Sequence, residues 1–290
     1  MHALTLIPLL LLLGWLLGIA GLLALLVLLV VITFATAALY AGPRPAEMRI
    51  GWCARVQCWL GEIASGLIII LVTMPLERLL MRRNVPARRA DAWPVLMVHG
   101  YINNSGSAWT LHNELVQQGF GVHTLNLEPT YTDIENYVPR IEARVRNILE
   151  RTGAERLVLI GHSMGGLALR AYLRRVPDAP LAQLITLGSP HLGTEGARIA
   201  AGRNGKQMRV GSAWLEQLAA DEAKRTPRWP CPVLSIFSYD DNIVFPQANA
   251  MLEGARNLPL AAIGHMSLPM SRNLAKLVAR EILLKTRSAA

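Results

Sequence analysis

Hydrophobic and polar positions follow two regimes along this chain. From Leu4 to Tyr40 there is no charged residue, a run of 37 positions. A membrane-spanning helix needs about 20 apolar residues. As one helix rising about 1.5 Å per residue, this run is longer than a hydrocarbon core of about 30 Å. It predicts a single long helix over about 4–40 whose end projects beyond a bilayer. A tight hairpin near Gly18-Ile19-Ala20-Gly21 is the alternative. The run is too long for a signal-peptide core and lacks a basic start, so it is not read as a cleaved signal. A second apolar stretch runs from Val56 to Leu76, interrupted near its start by Glu62. A charged side chain near the membrane interface can still reach water, and Trp52 and Trp59 suit an interfacial belt. A second span over about 56–76 is therefore expected. The alternative is an amphipathic helix lying on the membrane or on the rest of the protein.

After residue 90 the pattern changes. Short apolar runs, Val95–Val98, Val122–Leu125, Leu157–Ile160, Leu184–Leu187, Val233–Phe237 and Leu258–Ile263, read as buried strands. Between them lie helical stretches at Trp109–Gln118, Tyr137–Arg151 and Leu167–Leu173. A closing helix over Asn273–Lys285 has Leu274, Leu277, Val278 and Ile282 at helical spacing. Strands alternating with helices predict an α/β fold with a mostly parallel sheet. The expected organisation is a membrane segment over 1–90 and one α/β domain over 91–290. Ala197–Lys224, rich in Ala and charge, predicts a helical cap within about 191–230. About 200 residues suffice for one good core.

The candidate chemistry centres on Gly161-His162-Ser163-Met164-Gly165-Gly166, set between a predicted strand and a predicted helix. That is the context in which G-x-S-x-G forms a nucleophile elbow. A serine hydroxyl at its ordinary pKa is a poor nucleophile, so such a site also needs a base and an anion trap. The order Ser, then acid, then His is expected. Asp240 and Asp241 follow the strand Val233–Phe237, at the sheet edge where ligands bind. His265 follows the last predicted strand. His112 and His123 fall within predicted elements, His162 is the variable elbow residue, and His191 has the wrong position, so His265 is the candidate base. The strand Val95–Val98 runs into His99-Gly100-Tyr101. The backbone amides of Tyr101 and Met164 are the candidate oxyanion donors.

In order, His-Gly-Tyr, Gly-His-Ser-Met-Gly-Gly, Gly188-Ser-Pro-His-Leu-Gly-Thr194, Asp241-Asn-Ile-Val-Phe-Pro246 and Gly264-His265 resemble the pattern of lipase-like α/β-hydrolases. The nearest likeness is to bacterial triacylglycerol lipases and esterases and to the related deacylases of lipid anchors, over about residues 93–285. The resemblance implies an α/β-hydrolase fold with a cap that contains Met208–Leu215. It favours Asp241 over Asp240, because Asp-Asn-Ile-Val-Phe-Pro is similar to the D-x-x-V-x-P segment of many lipases. A single-glycine oxyanion loop accompanies esters of medium or long acyl chains in that family. The expected activity is serine-based cleavage of lipid carboxylic esters through an acyl-enzyme. An acyltransferase or thioesterase using the same triad, or an inactive membrane scaffold, are the alternatives. No cofactor and no metal are called for.

Charge adds location rather than chemistry. The net charge is +9 among 290 residues, which favours anionic lipid head groups as neighbours. No basic recognition helix or stacking motif points to nucleic acid. Three cysteines in no zinc spacing imply no disulfide framework. Arg44, Arg49 and Arg55 lie between the two apolar stretches, and Arg78, Arg82, Arg83, Arg88 and Arg89 follow the second. With two spans, the positive-inside rule puts the α/β domain on the cytoplasmic side of a bacterial inner membrane. That assignment depends on the number of spans.

Overall fold

The computed structural model describes residues 2–289, with side chains described for residues 17, 18, 20, 21 and 23–286. The helices are α1 (His2–Leu39), α2 (Trp52–Ile68), α3 (Glu77–Leu80), α4 (Trp109–Gln117), α5 (Val138–Thr152), α6 (Met164–Arg175), α7 (Gly202–Gln207), α8 (Ala213–Ala223), α9 (Ser267–Met270) and α10 (Arg272–Ala289). The strands are β1 (Asn84–Val85), β2 (Val95–Val98), β3 (Val122–Leu125), β4 (Leu157–His162), β5 (Leu181–Leu187), β6 (Val233–Ser238) and β7 (Arg256–Leu260).

They form one sheet in the order β1-β3-β2-β4-β5-β6-β7. All neighbours run parallel except the two-residue edge strand β1. Both faces are covered, which is why the strands read as unbroken apolar runs. Alternation within each strand divides the core. Leu96, Val98, Leu157 and Leu159 join a cluster with α5 and α6. Val95, Met97, Val158 and Ile160 point the other way, onto α4 and α10. The chain leaves β2 toward β3 and returns to place β4 on the other side of β2. That reversal opens a crevice at the carboxyl ends of β2 and β4, the usual ligand position in an open α/β sheet.

The first apolar run is one helix through Gly18–Gly21, without a hairpin. The second is α2 extended by a wider, π-helical turn over Ile69–Thr73. By length and composition, Trp52–Thr73 is long and apolar enough to cross a membrane. In this structure it lies against the α/β domain. Cys58, Glu62, Gly66, Ile69, Thr73 and Glu77 form a buried stripe at helical spacing. Glu62 does not reach water as expected; it is 1% exposed. Backbone N–H groups of the α/β domain take the place of water around its carboxylate. The opposite face of the same helix shows Leu60, Ile68, Ile70 and Leu71 to the exterior.

Candidate active site

Ser163 sits in the turn between β4 and α6 with φ 55° and ψ −126°. A non-glycine residue with positive φ is strained, and this conformation lifts its side chain out of the strand. The flanking glycines are required by contact. A Cβ on Gly161 would lie 2.6 Å from the Gly166 nitrogen, and one on Gly165 would lie 2.4 Å from the Val98 carbonyl. The loop after β2 closes directly over the serine, since a Cβ on Gly100 would come 2.8 Å from the Ser163 Cβ. Among the described residues, the Tyr101 and Met164 amides donate to no protein acceptor. His99 braces this loop from inside. Its Nδ1 bonds the Gly100 carbonyl at 2.8 Å, and its Nε2 accepts from Leu127 N–H at 2.9 Å. Burial pushes the His99 imidazole down to about 4, so it stays neutral and holds this tautomer.

The two neighbouring aspartates point apart. Asp241 is 2% exposed, and its Oδ2 lies 2.8 Å from His265 Nδ1. Its Oδ1 accepts from Ile243 N–H and Val244 N–H, both at 2.8 Å. Asp240 instead accepts from Arg44 at 2.9 Å and from Ala262 N–H at 2.7 Å. A carboxylate at Nδ1 fixes the proton there and leaves Nε2 as the basic nitrogen. Burial pulls the His265 imidazole down, but the charge and hydrogen bond of Asp241, with the charge of Glu62, outweigh it and raise it above its ordinary value. The hydrogen bonds of the described residues do not include one between Ser163 Oγ and His265 Nε2. Such contacts are often long without substrate and shorten in the Michaelis complex.

The remaining histidines have structural surroundings. His162 packs on His265 with ring centroids 4.8 Å apart, and its Nε2 bonds the His265 carbonyl at 3.2 Å. Burial, with the adjacent His265, keeps His162 well below the ordinary histidine range. His191 is 1% exposed and contacts Thr186 and Arg170. His112 bonds the Arg82 carbonyl, and His123 bonds Asn84.

Beside Ser163 is an apolar cavity of about 340 Å³, lined by Tyr101, Ile102, Ala197, Met208, Ile243 and Val244 among others. Ala197, Ala200 and Met208 of its lining come from the segment between β5 and β6, which carries α7 and α8. α8 is tied to α6 by a buried ion pair. Arg170 on α6 donates to both oxygens of Glu222 on α8, at 2.9 and 2.7 Å, with each side chain 1% exposed. Sequence reasoning missed this pair and Glu62. A lone Arg or Glu in a helix carries no sign of a distant partner.

Residues 94–225 match the family model described as palmitoyl protein thioesterase. Triacylglycerol lipases of Pseudarthrobacter phenanthrenivorans and Burkholderia plantarii are each 33% identical over 114 residues. Those alignments cover 37% of this chain and 35% and 32% of the two lipases, so the matched part is about a third of either relative. The mature Bacillus licheniformis lipase BlEst2 superposes with a TM-score of 0.61 at 20% identity, over 69% of this chain and 96% of that one. The architecture is that of a lipase/esterase-like α/β-hydrolase.

Proposed function

We propose that this α/β-hydrolase cleaves the carboxylic esters of lipids through an acyl-enzyme and is held at a membrane by α1. The observations that support the reading are the 2.8 Å contact of Asp241 with His265 and a serine on a strained strand-to-helix turn. In the first step Ser163 Oγ attacks the ester carbonyl carbon while its proton passes to His265 Nε2. The carbonyl oxygen becomes an oxyanion that accepts from Tyr101 N–H and Met164 N–H. Collapse breaks the bond to the leaving alkoxide, which takes the proton from His265 and departs as an alcohol. Water then attacks the acyl-enzyme with His265 as base, releasing a fatty acid and restoring the serine. Asp241 holds the tautomer and stabilises the imidazolium. The apolar cavity beside Ser163 suits an acyl chain, and the exposed Ile102 and Ile199 extend that apolar surface outward.

A thioester substrate is the second reading, favoured by the match to the palmitoyl protein thioesterase model. The same triad serves both, because only the leaving group differs. The test is a panel of p-nitrophenyl esters and matched oxygen and thio esters of one acyl chain, with wild type and Ser163→Ala. The expected result is lipid-ester turnover that falls about 10⁴-fold or more in the variant. Turnover surviving the substitution would overturn the serine mechanism. Strong preference for the thioester would favour the second reading.

For the membrane, we read α1 as the span and α2 as a helix seated on the hydrolase with its outer apolar face toward lipid. Support comes from the exposed Leu25, Leu28, Leu29 and Ile32 on α1 and from the buried stripe of α2. All eight arginines from Arg44 to Arg89 then stay on the hydrolase side, which favours the cytoplasmic face. A C-terminal reporter fusion active only in the cytoplasm is expected to be active here. Activity of a periplasm-only reporter would reverse the orientation.

A further inference from the structure

Three consecutive backbone N–H groups carry the candidate base, and all three end on side chains tied to the two N-terminal helices. His265 N–H donates to Asn242 Oδ1 at 3.1 Å, and Asn242 Nδ2 donates in turn to Thr33 Oγ1 on α1 at 2.8 Å. Met266 N–H donates to Glu62 Oε1 at 2.8 Å, and Ser267 N–H donates to Glu62 Oε2 at 3.0 Å. The Ser267 hydroxyl adds a bond to Glu62 Oε2 at 2.8 Å. Glu62 is 1% exposed on a helix some 200 positions earlier in the chain. The loop is shaped to admit it. A Cβ on Gly264 would stand 2.4 Å from Glu62 Oε2 and 3.0 Å from its Cβ.

Nothing in a hydrolase sheet requires such a carboxylate. A helix lying in lipid does not retain a buried acid for its own sake, since an unpaired charge there is costly. Its value lies in the geometry of its donors, which fix residues 266 and 267 just after the imidazole. A carboxylate that accepts from two successive amides holds their peptide planes in one orientation. The ring is then held from both sides, by Asp241 at Nδ1 and through its own backbone by α2.

We propose that Glu62 is a positioning residue for His265, so that the segment expected to serve only as an anchor completes the catalytic site by clamping the loop of the base. The proposal rests on the serine-hydrolase reading above, and its test separates the two. Steady-state kinetics on p-nitrophenyl esters are measured with the full chain in detergent micelles, beside Ser163→Ala.

Glu62→Gln keeps an acceptor for one amide but turns an NH2 group toward Ser267 and removes the charge. The expected result is a kcat lower by about 10²-fold, the scale of a misplaced catalytic group, with KM changed less than about twofold. Gly264→Ala reaches the same contact from the loop side and leaves α2 unchanged in sequence. It should give the same split. The pH profile adds a readout that simple loosening would not move. The groups acting on the His265 imidazole are Asp241 from the loop after β6, Glu62 from α2 and the uncharged His162 from β4. Burial raises the Glu62 carboxyl above its ordinary range, against the hydrogen bonds from Met266 and Ser267 and the charge of His265. Above that raised value its charge favours the imidazolium, so the acid limb of kcat/KM should move to lower pH in Glu62→Gln and stay in place in Gly264→Ala.

A wild-type kcat in both variants would overturn the clamp while leaving the hydrolase reading intact. A loss confined to KM would do the same. Turnover by Ser163→Ala would instead overturn the mechanism on which the clamp depends.

Discussion

Two carboxylates hold the loop of His265, and they do so by different means. Asp241, on the loop after β6, bonds the imidazole itself at 2.8 Å. Among the described residues, Glu62 on α2 bonds no ring atom and accepts from the amides of Met266 and Ser267 and the Ser267 hydroxyl. The first sets tautomer and charge. In our proposal the second sets position and adds a weaker charge. One belongs to the sheet's carboxyl edge, where the chemistry of this fold gathers. The other comes from a segment whose composition advertises lipid. In our proposal, the base therefore depends on a region that composition alone would assign to anchoring.

That contrast ranks the expected losses. Asp241→Asn should be the most severe, at about 10⁴-fold in kcat/KM, the scale that tautomer inversion costs in serine proteases. Glu62→Gln should follow at about 10²-fold, carried by kcat. Asp240→Asn should cost less than about tenfold, because its carboxylate faces Arg44 and Ala262 rather than the base, and such partly exposed pairs contribute about 1 kcal/mol. Steady-state kinetics of the three variants check the order. Equal losses at positions 240 and 241 would break the distinction between the aspartates.

The pH profile sharpens it. His265 must be neutral to accept the serine proton, so kcat/KM should fall as pH drops through a value above the ordinary histidine range. Asp241→Asn removes a negative charge beside the imidazole, and Glu62→Gln removes a more distant one, present above the burial-raised value of that carboxyl. Both should shift the surviving activity's acid limb to lower pH, Asp241→Asn by more.

Much of this was legible in the residues. The strands β2 and β3 fall where the apolar runs Val95–Val98 and Val122–Leu125 predict them, because a strand covered on both faces needs an unbroken hydrophobic run. The elbow is readable because a strained turn and two close approaches leave a local glycine signature around Ser163. The aspartates were separable only by analogy, since adjacent residues in a loop share every local cue. In the structure Arg44 draws one away and His265 takes the other. β1 escaped notice because two residues at a sheet edge have no period to display. Glu62 read as a flaw in an apolar stretch, because its partners are backbone amides some 200 positions away. Amides of that kind have no sequence signature at all.

The most direct test of the central claim is covalent. The full chain is treated with a fluorophosphonate, digested, and the adduct located by mass spectrometry. The account predicts one adduct, on Ser163, formed more slowly in Asp241→Asn and absent in Ser163→Ala. An adduct on another residue, or undiminished labelling of Ser163→Ala, would contradict it.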